Sequence, residues 1–177
     1  LNQNEKWIIS GFNGSGKSTL LKTICGLMPS SSGIVNFLDN NQILTSSKKK
    51  ELSGFAAPYA NLFTELTAKD NFFIFAKTHN RTYTNQETDF LFSKYQLEGK
   101  KNLRVSHYSS GMLQRLKLLI ATHHSPKFLF LDEPTANLDE NGKMFVQDLI
   151  SDFKGILLLC TNEKEEKKWG EILIELS

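Results

Sequence analysis

Residues 11–18 read Gly-Phe-Asn-Gly-Ser-Gly-Lys-Ser, and few eight-residue stretches restrict a chain more. They satisfy the spacing G-x-x-x-x-G-K-[ST] and stand between a short apolar run, "WIIS" at 7–10, and a segment where Leu20, Leu21, Ile24 and Leu27 recur at helical spacing. The order predicts a strand, a glycine loop and a helix that exits near Gly26 and Pro29. Gly11, Gly14 and Gly16 allow positive φ and carry no side chains, so successive N–H groups can converge on phosphate oxygens. The helix start adds its positive end. Lys17 supplies a point charge for β and γ phosphates, and the Ser18 hydroxyl is a hard oxygen ligand for Mg2+.

The rest of the chain alternates strand and helix signals, which favours an α/β sheet domain. "GIVNFLD" at 33–39 alternates as a half-exposed strand does, while 69–78 and 85–95 read as helices whose phenylalanines form packing surface. Ser109 is placed to cap a helix running to about residue 122, and Asp139 begins another through Met144, Phe145, Leu149 and Ile150. "KFLFLD" at 127–132 and "GILLLCT" at 155–161 are nearly continuous apolar runs, as expected of central parallel strands covered on both faces; Trp7 is expected to be buried in the first strand.

A Mg·nucleotide site needs a second carboxylate, and hydrolysis needs a group that orients water. Asp132 closes its apolar strand at the carboxyl end, where ligands of open parallel sheets bind, and Glu133 follows as the candidate general base.

With 177 residues the chain has the size of one domain, and its net charge of +2 carries no electrostatic footprint of a nucleic-acid binder. Lys48, Lys49 and Lys50 read as a solvated face, and Cys25 and Cys160 as small core residues of a reducing compartment. No run of eighteen apolar residues spans a membrane and no leader is read before the first motif, so a cytosolic location is expected. His123 and His124, at the amino end of the 127–131 strand, read as surface residues of the turn before Pro126.

Gly11 to Thr19, "YSSGMLQR" at 108–115, "FLFLDEPTANLD" at 128–139 and "LLLCTN" at 157–162 together resemble the ATP-binding cassette of ABC transporters over nearly the whole chain. The form of the "YSSGM" element is similar to that of ATPases serving ABC-2 type exporters, including the haem exporter. The resemblance implies a P-loop NTPase fold, with a mostly parallel sheet flanked by helices. Its core would cover about 1–65 and 125–177, and a helical signature subdomain about 66–124. It also implies that Asn13, Gly14, Ser15, Gly16, Lys17, Ser18 and Thr19 wrap the phosphates of ATP, that Ser18 and Asp132 hold Mg2+, and that Glu133 is the general base. Ser109 and Gly111 would contact the γ-phosphate held by a second copy of the domain, with Asp139 ordering that interface. The implied partner is a membrane permease, with the chain peripheral on the inner face of the cell membrane.

Three departures accompany the resemblance. The segment "AAPYANLFTELT" at 56–67 lacks the family's glutamine, and Pro58, Tyr59 or Ala60 occupies that neighbourhood. Asn162 stands where a switch histidine is usual; its amide can bond a γ-phosphate but cannot relay a proton, so slower hydrolysis is expected. The antiparallel strands that usually precede the loop and hold adenine are expected to be missing, since the chain starts at Leu1. Two other readings remain open here: a soluble ABC-type ATPase without a transporter, and a small-molecule kinase built on the same loop.

Overall fold

In the computed structural model, residues 4–176 are described. The start at Leu1, on which the missing leader and missing strand pair were expected, lies outside them.

The expected strand, loop and helix open the fold as β1 (Lys6–Gly11) and α1 (Lys17–Cys25), with Gly26 closing the helix in the left-handed conformation at φ 82°. A small hairpin, β2 (Leu38–Asp39) and β3 (Gln42–Ile43), follows, then α2 (Ser46–Glu51) and β4 (Ser53–Ala56). Helices α3 (Ala68–Thr78) and α4 (Asn85–Lys94) each start on a threonine, Thr67 and Thr84, in a reciprocal cap with Asp70 and Glu87. Ser109 and Asp139 cap α5 (Ser110–Thr122) and α6 (Glu140–Asp152) as their sequences predict, each side chain accepting from the backbone N–H three residues on. Between these helices run β5 (Phe128–Asp132), then β6 (Ile156–Thr161) and β7 (Ile172–Leu176).

β4, β5, β6, β1 and β7 lie side by side in that order in one wholly parallel sheet. Because side chains alternate along a strand, β5 divides its apolar run between two cores. Leu129 and Leu131 pack with Ile8, Leu157, Phe72, Leu116, Leu119 and Val146 on the face covered by α3, α5 and α6. Phe128 and Phe130 pack with Ile9, Leu21, Leu158 and Cys160 on the α1 face. All five residues of β5 are buried, which explains why its sequence is apolar throughout rather than alternating.

Several expectations are corrected. Residues 33–37 form no strand; only Leu38–Asp39 pairs, in the hairpin, and Ile34 is 85% exposed. Among the described residues no strand pairs with 33–37, so its alternating pattern has no ladder beyond Phe37 O, which accepts from Leu44 N at 2.7 Å, and the Phe37 ring packs 4.7 Å from Phe128. Trp7 is half-buried rather than buried, its indole N–H donating to Glu5 at 2.9 Å. Lys49 is not simply solvated: its ammonium donates to Ile24 O at 3.2 Å and lies 4.0 Å above the Phe37 ring, closing the end of α1. His123 and His124 are not surface residues, being 9% and 6% exposed, because the turn that leaves α5 tucks under α3 instead of facing water.

Strand β4 was not anticipated, being only four residues long, three of them small. Its Gly54 answers to close approach: a Cβ there would lie 1.9 Å from Ala121 O of α5. Gly54→Ala is therefore expected to push α5 off the sheet and cost about 1–3 kcal/mol in urea unfolding. An unchanged midpoint would show that α5 is free to shift.

Candidate functional site

The parallel register puts the carboxyl ends of β4, β5, β6 and β1 on one edge, and the predicted motif residues leave from it. From β1 the chain enters the glycine loop, with Gly14 at φ 91° and Gly16 at φ 94°, a conformation that side chains disfavour. A Cβ added at either would meet no protein atom within 4 Å, so the loop keeps an open face. Asn13, Gly14, Gly16 and Thr19 are exposed there, and Ser15 and Ser18 are half-buried. Lys17 is buried beneath them, and its ammonium donates to Gly11 O at 2.9 Å and Phe12 O at 3.1 Å. The lysine thus bonds its own loop's carbonyls, which bear no net charge and are weaker partners than a phosphate.

Asp132 ends β5 opposite Cys160 of β6 and is 1% exposed, yet neither of its carboxylate oxygens completes a hydrogen bond of ordinary geometry, the Tyr59 phenol lying only loosely toward it. Buried carboxylates are ordinarily paired or bound to metal. Two oxygens left open on the edge that carries Ser18 are the donor chemistry a hard divalent cation requires. Glu133 follows in the left-handed conformation at φ 44°, pinned by its N–H to Cys160 O at 2.9 Å. That backbone is uncommon for a residue with a side chain, and it turns the chain sharply off the strand. Past β6, the Asn162 amide donates to Asn13 Oδ1 at 2.9 Å, so Asn162 meets the glycine loop itself.

Of the three residues that could occupy the place of the missing glutamine, Tyr59 is the one at the site. Its phenol is held protonated well above the ordinary tyrosine range, first by burial and next by the Asp132 carboxylate beside it, as hydrogen-bond acceptor and then as charge. Lys22 of α1 lies 3.7 Å over its ring. Ser109, Gly111 and Asp139 form a separate patch. Gly111 comes so near Asn137 O that a Cβ would lie 3.3 Å from it, and Asp139 Oδ1 accepts from Gly142 N at 2.9 Å while Arg115 of α5 stands 3.4 Å away.

Two further residues escape motif reading. Lys117, in the buried stretch of α5, donates to Ala57 O and Pro58 O, fastening that helix to the loop that carries Tyr59. The signal was a lysine amid the apolar run Leu116–Ala121. Glu166 is 2% exposed and accepts from Thr135 Oγ1, and burial raises its pKa. A broad cleft of about 1130 Å³ opens at the amino edge of the sheet beside Lys127, Phe128 and Phe153, and no motif residue lines it.

The profile of a family described as "ABC transporter" matches residues 1–136. The Bacillus subtilis ABC transporter ATP-binding protein YxlF is 31% identical over 157 residues, which are 87% of this chain and 51% of that protein. The Nod factor export ATP-binding protein I of Rhizobium johnstonii is 31% identical over 161 residues, 88% of this chain and 52% of its own. The chain therefore spans about half the length of these curated relatives. Among solved structures, the ATP-binding cassette MJ0796, a dimer in a post-hydrolysis state bound to ADP and Pi, superposes with a TM-score of 0.85 at 24% identity, covering 100% of this chain and 84% of that one. At that identity the likeness speaks for the fold.

The open carboxylate should cost stability when no ligand is present. Asp132→Asn is expected to stabilise the ligand-free protein by about 1 kcal/mol and to abolish the rise in Tm given by Mg2+ with ATP. A destabilised variant that still responds to Mg2+ would contradict this. Glu166 obeys a linkage of definite sign: a carboxyl with a raised folded pKa contributes stability at low pH that is lost as pH rises past about 4.3. Glu166→Gln is expected to match the parent near pH 4 and exceed it at pH 8 in urea midpoint, whereas a constant difference would exclude the linkage.

Proposed function

The chain belongs to the ABC transporter family, and from that premise we propose that it is an ATP-binding and ATP-hydrolysing domain that dimerises on ATP and drives a membrane permease. The observation that carries the reading is the pairing of an open-faced glycine loop with a buried, partnerless carboxylate on one sheet edge. No helix among the described residues is long and apolar enough to cross a membrane, so the permease is a separate span of chain or a separate protein, and the domain sits against the inner face of the membrane. The export named for the Rhizobium relative and the "YSSGM" element favour an exporter. The core of the domain comprises 1–65 and 125–177, and 66–124, with α3, α4 and α5, is the helical subdomain.

In this scheme the backbone from Asn13 to Thr19 receives the triphosphate, and Lys17 exchanges its two carbonyl partners for the β and γ oxygens. Ser18 and Asp132 hold Mg2+, which when bound neutralises charge on the phosphates. Glu133 takes a proton from water as that water's oxygen bonds to the γ-phosphorus in line with the leaving ADP oxygen. Phosphate and ADP are the products. Asn162, steadied by Asn13, donates its amide to the γ-phosphate without relaying a proton, so turnover is slow for the family. Tyr59, proton-bearing beside Asp132, takes the position of the glutamine. Ser109 and Gly111 at the start of α5 meet the γ-phosphate of a second copy, with Asp139 at the same interface. ATP bridges only the closed dimer, and hydrolysis shifts the population back to the open one.

Phosphate release measures the scheme. Glu133→Gln is expected to lower it about 10²–10⁴-fold while a dimer persists on gel filtration with ATP, and Asn162→His to raise it. Transfer of the γ-phosphate to a small acceptor in place of water would identify a kinase and overturn the reading. Failure to co-purify with a polytopic protein from detergent-solubilised membranes would remove the transporter and leave the ATPase.

A further inference from the structure

At the amino edge of the sheet, opposite the nucleotide loops, three of the chain's four histidines converge. His79 caps the end of α3, and His123 and His124 lead from α5 toward β5. The His79 and His124 rings stack with centroids 3.7 Å apart, and one ring nitrogen from each of the three lies within 4.8 Å of the others. Packing alone accounts poorly for what their other atoms do.

Each ring has one nitrogen tied to an oxygen. His124 Nε2 meets Ser53 O at 3.2 Å. His123 Nδ1 meets the Tyr83 phenol at 2.9 Å, and the phenol's own proton goes to His123 O, so the ring must be the donor. His79 Nδ1 meets Phe75 O at 3.0 Å; the neighbouring Thr78 hydroxyl spends its proton on that same carbonyl and has none to give the ring. These bonds fix the tautomers and leave lone pairs on His79 Nε2, His123 Nε2 and His124 Nδ1. The last two are buried with no partner at all, and His79 Nε2 faces Ser53 O, another acceptor, at 3.4 Å. Lone pairs turned inward on neutral rings whose outer N–H groups are bonded to oxygen are the arrangement that supports a metal-bound imidazole. The Ser53 hydroxyl, also buried and partnerless, offers a fourth donor atom, an oxygen.

We propose that His79, His123 and His124 form a binding site for one divalent transition-metal cation of the zinc class, separate from the nucleotide site. Imidazole donors without carboxylate select Zn2+, Co2+, Ni2+ or Cu2+ over Mg2+ and Ca2+. Tetrahedral Zn–N bonds put nitrogens about 3.3 Å apart, so rings that already bring one nitrogen each within 4.8 Å must close further, and half-exposed His79 is the ring free to turn. Arg81 opposes a cation there, and Glu51, whose charge reaches both Arg81 and His79, offsets it. The bound ion would staple α3 and the exit of α5 to the first residue of β4.

The test uses the 177-residue chain, stripped with EDTA and titrated with Co2+ in the absence of nucleotide and Mg2+. One equivalent should give the intense visible absorption of four-coordinate, nitrogen-bound cobalt, and Zn2+ should displace it and raise the Tm. His79→Ala, at a half-exposed position that spares the fold, should weaken binding at least about 100-fold, Tyr83→Phe about 10–100-fold, and His107→Ala, at the remaining histidine, not at all. Only the weak absorption of oxygen-bound octahedral cobalt, or a strong band that survives in His79→Ala, would overturn the site. Neither readout depends on ATP hydrolysis.

Discussion

Strand β6 is the element on which the site depends. It lies between β1 and β5 and pairs with both in parallel, Ser10 opposite Thr161 and Asp132 opposite Cys160. That ladder fixes the separation between the glycine loop and the open carboxylate to a strand's width on either side, without any side chain of the site having to hold another. A one-residue slip would exchange the two faces of β6 and put Leu158 and Leu159 on the wrong cores, so hydrophobic burial enforces the register that the chemistry needs. Cys160 contributes backbone as well as packing: its carbonyl holds Glu133 in the left-handed turn, and its thiol rests 3.5 Å from Lys17 O. One small residue therefore touches the structures on both sides of it, which explains a buried cysteine with no disulfide or metal role.

Helix α5 connects that edge to the patch of Ser109, Gly111 and Asp139. Gln114 donates to Pro134 O at 2.8 Å, Lys117 holds Ala57 O and Pro58 O, and Arg115 approaches Asp139. Successive turns of one helix thereby grip the loop after β5, the loop after β4 and the start of α6. Burial alone lowers the Lys117 pKa, and such a lysine is tolerated only because carbonyl oxygens receive its protons. Movement of α5 as a rigid body must carry Tyr59 and Pro134 with it, a physical route by which the far patch and the carboxylate edge sense one another.

What the sequence made legible was local. A glycine loop between strand and helix, a helix cap at Ser109 or Asp139, and an apolar run ending in Asp132 each depend on residues within a few positions, and all stand where they were expected. The misreadings share an opposite character. The histidines at 123 and 124 follow a helix and precede a proline, which locally spells an exposed turn; only the arrival of α3, some forty residues earlier in the chain, buries them. Alternation at 33–39 is a correct strand signal that finds a neighbour only at Leu38–Asp39, since a strand exists only in a ladder. Tyr59 could not be singled out from Pro58 and Ala60, because its distinction is proximity to a carboxylate more than seventy residues away. Lys117 likewise needed the knowledge that the chain after β4 passes over α5.

The same edge also departs most from what stability alone would choose. A carboxylate is buried without partners at Asp132, a glutamate with a side chain occupies left-handed backbone at Glu133, and Lys17 folds onto neutral carbonyls. The first two cost of order 1–3 kcal/mol each, borne by the two apolar cores on either face of β5. These costs are not independent of one another. In the proposed scheme an anion seated on the glycine loop would draw Lys17 from its carbonyls and present oxygens across from Asp132, so one ligand would serve the lysine and the carboxylate together. Strain that a single ligand relieves at several points makes its binding steep and its loss abrupt.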